Sequence, residues 1–334
     1  MKRLAGVAVV LGALGLVIAF ALWRLPSNDY LVIPDVAKPL QSRVDVEGGH
    51  TDAKGDVYYV DVYVRRMRLL ERLLPFVRPD GATLVPAETL APAGTTDQER
   101  RQQSAAEMDR SEQIASVVAL RTLGYDAVAI PRGVLVTSVA SDAPAAGVLD
   151  PDDVIVAVDG TSVLTPAELR RQIGRRTPGD EVRLTVRRNG KQIDVTVRTI
   201  PNPEDASRPI IGILVDQDAK IRLPIDVGID LGTVGGPSAG LPFALEIARQ
   251  LGRNVTHGCR IAATGELALD GAVLPIGGIA QKTVGARRAH VDLFVVPVGS
   301  NAQGARENAR GLTIIPVESF RQALRKLTTS HRKC

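Results

Sequence analysis

Gly235-Gly236-Pro237-Ser238-Ala239-Gly240, with Thr264-Gly265-Glu266 and Pro275-Ile276-Gly277-Gly278 leading to Lys282 further on, are the stretches whose reading decides this chain. The first sets a serine in a turn of small residues. Before it, Ile225, Val227, Ile229 and Leu231 alternate with Asp226 and Asp230, the pattern of a half-buried strand. After it, Leu241, Leu245, Ala248 and Leu251 recur at helical spacing. The second region sets a lysine just past a glycine turn. A serine hydroxyl is a weak nucleophile and needs a base within hydrogen-bond reach. Lysine can be that base only if apolar burial lowers its pKa from ~10.4 toward neutrality. Val273, Leu274, Ile276, Ile279 and Val284 around Lys282 offer such surroundings. The first turn of a helix adds the positive end of a dipole. Ser238 and Lys282 therefore read as a nucleophile and its base. Free amides at the helix start around Gly236, Pro237 and Ala239 read as a site for a developing oxyanion.

Two plainer readings compete. Taken singly, Ser238 is an ordinary helix cap and Lys282 a solvated helix lysine. Gly236–Gly240 also matches G-x-S-x-G, which raises a Ser-His-Asp triad. His257, His290 and His331 follow the serine, but none lies in a recognisable loop setting, and no HGGG-type stretch precedes it.

The 334 residues allow two or three domains. Hydrophobic content of 45% with 23% charged residues indicates a globular chain. A net charge of +4 without a basic, aromatic-interleaved cluster argues against nucleic acid as a partner. Cys259 and Cys334 form no CxxC and no zinc-type Cys/His spacing, so no metal site is expected. Cys259 reads as a small buried residue, with pairing to Cys334 left open. No cofactor motif occurs, and no G-x-x-x-x-G-K-[ST] loop.

Lys2-Arg3 precede an uncharged run from Leu4 to Trp23, closed by Arg24. About 20 such residues suffice to cross a bilayer as a helix. The basic flank places the remainder outside the cytoplasm. A cleaved signal peptide, with Ala19-Phe20-Ala21 as its site, is the other reading. Val57 to Val64 reads as one strand, the Pro-rich stretch from Pro75 to Gly94 as loop, and Gln98 to Leu123 as a helix.

Gly133 to about Thr199 forms a block of its own. It runs through Ser141-Asp142-Ala143-Pro144-Ala145-Ala146-Gly147-Val148, Asp152-Asp153-Val154-Ile155, Val158-Asp159-Gly160 and Pro178-Gly179-Asp180. Thr165-Pro166-Ala167-Glu168 starts a capped helix, and Asn189-Gly190 signals a hairpin. The block resembles a PDZ domain of bacterial secreted proteases. That resemblance implies peptide capture by strand addition, in a groove between Gly133, Val134, Leu135 and the Leu169/Ile173 helix face.

The C-terminal region resembles the proteolytic domain of Lon peptidases. Gly-Pro-Ser-Ala-Gly stands at Gly236–Gly240, Thr-Gly-Glu at Thr264–Glu266, and Gly-x-Val-x-Pro-Ile-Gly-Gly at Gly271–Gly278. Lys282 follows, then Ala286, Arg288 and Ala289. The resemblance implies Ser238 as nucleophile, Lys282 as general base and acid, and Thr264 as a hydroxyl on the lysine amine. Three positions depart from the family pattern: Gly235 replaces a common acidic residue, no histidine occupies the strand before the serine, and His290 replaces glycine. A weaker likeness of Gly55–Val64 and Met108–Ala115 to the opening strand and first helix of that domain implies that the PDZ block is inserted into it.

The expected architecture is an α/β (α+β) Lon-type proteolytic domain with an inserted, β-rich PDZ domain (a partly open barrel with two helices) and an N-terminal transmembrane helix. Its parts are an anchor at 4–23, an N-terminal peptidase part at 26–125, PDZ at 126–200 and the catalytic domain at 205–330. Together these resemble the bacterial secreted or membrane-anchored, PDZ-containing Lon-like proteases. An ATP-independent serine endopeptidase acting on unfolded or exposed extracytoplasmic and membrane protein segments is the expected function. Its partners would be protein or peptide substrates, the membrane through its N-terminal helix and, by analogy with Lon rings, a homo-oligomer. A catalytically silent, membrane-tethered PDZ adaptor is the alternative. Retention of Ser238, Thr264 and Lys282 together argues against it.

Overall fold

A computed structural model describes residues 2–50, 54–87, 97–203 and 205–329. The expected loop therefore lies partly, and Cys334 wholly, outside the described residues. Two compact units divide the chain. The first takes Met1–Ala119, Asp226–Leu267 and Ala272–Cys334; the second takes Leu120–Ile225 with Ala268–Gly271.

The first unit opens with α1 (Lys2–Arg24). Its side chains are described from Leu11 on. Among the described residues no helix is long and apolar enough to cross a membrane, so the expected span at 4–23 is without structural support. There follow β1 (Pro26–Pro34), β2 (Lys38–Pro39), β3 (Val44–Val46), β4 (Asp56–Tyr59), β5 (Val62–Arg68), α2 (Leu69–Leu73), β6 (Thr83–Val85) and α3 (Asp97–Thr122). β1 lies between β5 and β6 in an antiparallel sheet. The single strand expected over 57–64 is thus two strands in different sheets. Tyr59 and Val60 are both buried, which breaks the alternation a continuous half-buried strand requires.

The second unit holds β7 (Val128–Val139), β8 (Val154–Val158), β9 (Thr161–Ser162), α4 (Pro166–Ile173), β10 (Glu181–Arg188), β11 (Lys191–Arg198), β12 (Ile200–Pro201), β13 (Pro209–Ile210) and β14 (Ile213–Arg222). The main sheet runs β11-β10-β8-β7-β14, with β9 paired to β8. Val134, Ile155, Leu169, Leu184 and their neighbours fill its core. Asn189 and Gly190 both take positive φ in the hairpin, as a tight two-residue turn demands. Thr165 and Glu168 make the expected capping box on α4. Asp153, 1% exposed, is held by the Arg188 guanidinium at 2.7 and 2.6 Å.

The peptide groove expected along Gly133–Leu135 is not open in this sheet. Gly133, Val134 and Leu135 lie on β7, which is hydrogen-bonded to β14 on one side and β8 on the other. No strand can add where both edges are occupied. The edge strands of this sheet are β11 and β14, and Leu169 and Ile173 are core residues.

The chain returns to the first unit with β15 (Val227–Ile229), α5 (Gly240–Gln250), β16 (Arg260–Ala263), β17 (Glu266–Leu267), β18 (Val273–Leu274), α6 (Ile279–Arg288), β19 (Leu293–Pro297), α7 (Ser300–Asn308), β20 (Thr313–Val317) and α8 (Phe320–Thr328). A five-stranded sheet runs β2-β4-β16-β19-β20, parallel except for β2. α5 is buried on every side and not on one apolar face alone. Its Glu246 is satisfied by Arg249 and Gln250, as a buried carboxylate must be. Cys259, at the foot of β16, is buried as expected and is also disulfide-bonded.

Candidate active site

Three elements of the first unit converge on one point. β15 delivers the chain to a 3-10 turn, Pro237–Ala239, which places half-buried Ser238 just before α5. Thr264 follows directly after β16 and is fully buried. Gly278 turns the chain with a left-handed φ of 68° and opens α6, so that Lys282 falls in its first turn. Lys282 Nζ donates to Ser238 Oγ at 2.5 Å and to Thr264 Oγ1 at 3.4 Å. Thr264 Oγ1 in turn donates to the Ser238 carbonyl at 3.3 Å, and Gly265 N–H donates to the same carbonyl at 2.9 Å. The sequence-predicted serine, threonine and lysine are thus brought together.

Lys282 is 4% exposed. Burial disfavours its ammonium and pulls its pKa down to about 8, against the opposing charge of Asp61. Asp61 lies in the short link between β4 and β5. Its Oδ1 is buried with no hydrogen-bond partner among the described residues, while Oδ2 sits 3.4 Å from Lys38 Nζ. Burial raises the Asp61 pKa, and Lys38 opposes that rise. A base softened by desolvation, in contact with the hydroxyl it would deprotonate, is the arrangement that general-base activation of serine requires.

The backbone positions expected to hold an oxyanion are only partly available. Pro237 has no N–H, and the Gly236 N–H donates to Ser104 O at 2.8 Å. Of the three, Ala239 remains, beside the amide of Ser238 itself.

Several supporting residues escape sequence reasoning. α3 packs on the nucleophile turn through Ser104 and through Ser111, whose Oγ donates to Pro237 O at 3.0 Å. A Cβ on Gly235 would come within 2.7 Å of Ser104 Cβ, so this close approach explains the glycine that departs from the family pattern. Asn301 brackets the turn before Lys282, accepting from Ile276 N–H at 2.8 Å and donating to Ile276 O at 2.9 Å. Gln281 donates to Thr83 Oγ1 at 2.5 Å, tying α6 to β6. The available signals were faint: two small residues seven apart on α3, and a buried-side amide at the start of α7. Among the described residues no cluster of His, Cys, Asp and Glu could hold a metal ion.

Two family models match the chain. Residues 115–199 match the family model of the PDZ domain, and residues 215–329 match that of the Lon protease (S16) C-terminal proteolytic domain. The chain carries a PDZ domain and a Lon-type serine-peptidase domain. Over 116 residues it is 37% identical to the Lon protease of Desulforamulus reducens, covering 34% of this chain and 13% of that one. Over 120 residues it is 33% identical to Lon protease 1 of Bacillus subtilis, covering 35% and 14%. The chain thus spans a small fraction of the length of these relatives. Among solved structures, the PDZ domain of an SdrC-like protein from Listeria monocytogenes is 30% identical, covering 25% of this chain and 86% of that one, with a TM-score of 0.24.

Proposed function

We propose that the chain is a serine endopeptidase that works through a Ser238–Lys282 dyad without nucleotide. The 2.5 Å contact between Lys282 Nζ and Ser238 Oγ, at a buried lysine, carries this reading. Neutral Lys282 takes the hydroxyl proton as Ser238 Oγ attacks the peptide carbonyl. The amides of Ser238 and Ala239 hold the oxyanion. Lys282 then gives the proton to the leaving amine, and water releases the acyl group by the same route in reverse. Thr264 fixes the lysine amine. With no phosphate-binding loop in the chain, its substrates are segments already extended or unfolded. The edge strand β14 beside α4 supports strand addition as the means of selecting them.

In this reading α1 anchors the chain with its bulk on the outer face of a bacterial membrane. The uncharged run from Leu4 to Trp23 supports that role. The decisive experiment compares Ser238→Ala and Lys282→Ala on an unfolded protein substrate. Both lose cleavage by at least about a thousandfold while keeping the fold by circular dichroism. Cleavage by Lys282→Ala near the unmodified rate would sink the dyad.

A further inference from the structure

Near its end, the segment from Val62 to Arg78 presents an apolar surface that no described core residue covers. Its base is rigid. The Glu71 carboxylate is buried in an otherwise exposed turn. It accepts from the Arg65 guanidinium at 2.9 and 2.5 Å and from Arg68 N–H at 2.9 Å. Arg78 Nε donates to the Glu71 carbonyl at 2.7 Å, which secures the following 3-10 turn, Pro75–Val77. From this support Leu73 and Phe76 stand out, 62% and 81% exposed, with Leu74 beside them. Single exposed apolar side chains are ordinary on protein surfaces. Three within four residues, on a hydrogen-bonded base, are a surface held open to something.

Two observations name the occupant. The first is continuity with α1. Leu69 N–H donates to Leu25 O at 3.0 Å, and the Arg68 guanidinium stacks 3.9 Å from the Trp23 ring. The exposed Trp23 and Leu25 therefore join this surface to the exposed apolar side chains of α1. The second is charge. Arg65, Arg66, Arg68, Arg72 and Arg78 accompany Glu71, the one carboxylate of the segment. Arg72 keeps most of its side chain in solvent while pairing with Asp29 at 3.2 Å. Apolar tips, an interfacial tryptophan and arginines with apolar stems suit the boundary between acyl chains and anionic headgroups.

We propose that Leu73, Leu74 and Phe76 rest in the headgroup layer of a lipid bilayer, with the exposed Arg66 and Arg72 toward anionic lipid, at the point where α1 emerges. The inference rests on reading α1 as the anchor. It turns a flexible tether into a fixed stance of the peptidase unit on the membrane.

The test reconstitutes the full chain in phosphatidylethanolamine/phosphatidylglycerol vesicles containing acyl-brominated lipid. Trp23 is the only tryptophan, so the unaltered chain reports on the end of α1. A Trp23→Phe, Phe76→Trp double variant moves the reporter to the surface in question. At 81% exposure the second change has room. Emission from both reporters is expected to fall by half or more with lipid brominated near the headgroup. Quenching of Trp23 without quenching at position 76 overturns the proposal and leaves the anchor standing. An indole at 76 that brominated lipid does not quench, yet iodide cannot reach, overturns it in favour of a second copy on that face. Quenching at neither site removes the anchor reading and the proposal together.

Discussion

With its pKa near 8, Lys282 is mostly protonated at neutral pH. Only the neutral amine can accept the serine proton, so kcat/KM is expected to rise with pH through a midpoint near 8 and to be lost below it. Asp61 works against this by favouring the ammonium. Lys38 and Asp35 are the other charges acting on Asp61. Asp61→Asn removes a negative charge near the amine, so the proton leaves at lower pH. The acid limb of the kcat/KM profile on an unstructured fluorogenic peptide should move down by about half a unit or more. A profile that superimposes on the original would show that Asp61 serves structure alone. Ser238, Thr264 and Lys282 were legible in the sequence because each sits in a motif with fixed spacing. Asp61 was not. It lies inside what reads as one continuous strand, and only the break after Tyr59 turns it toward the site's electrostatics.

At the scale of elements, the nucleophile turn is shaped as much by α3 as by its own glycines. Gly235→Ala would drive a Cβ into Ser104 and displace the turn that α3 holds. A loss of about tenfold or more in kcat/KM is expected, with little change in circular dichroism. Adding Ser104→Gly makes room and should restore part of that loss. If the second change restores nothing, the close approach is not what positions Ser238. The elements themselves were readable from composition: the capped α4, the Asn189-Gly190 hairpin and the long α3 all form where local chemistry asks for them. Neighbour relations were not. Periodicity tells which residues of β7 and β14 face a core, but not that β14 crosses back to pair with β7 and takes the open edge. That pairing is fixed by contacts distant in sequence. The buried polar groups of α5 escaped for the same reason, since Glu246 and Arg249 look like a surface pair until the elements around them are known.

At the scale of the whole molecule, the two units allow their stabilities to be separated. Arg188→Ala would leave the buried Asp153 carboxylate uncompensated, at a cost of about 3–5 kcal/mol to the second unit. Calorimetry should show one transition moved to lower temperature, while cleavage of a short unstructured peptide stays within about twofold. A single transition that moves as a whole would mean that the units unfold together. The sequence suggested an inserted block, and the division of the chain gives that insertion a consequence in time. Translation passes Ser104 and Ser111 first, then the block from Leu120 to Ile225, and only afterwards Ser238 and Lys282. At ~5–20 residues per second that block occupies the ribosome for roughly 5–20 s. Throughout that interval the first 119 residues have neither their nucleophile nor β16, the parallel partner of β4, so the peptidase stays harmless to its own nascent chain until the last third has emerged.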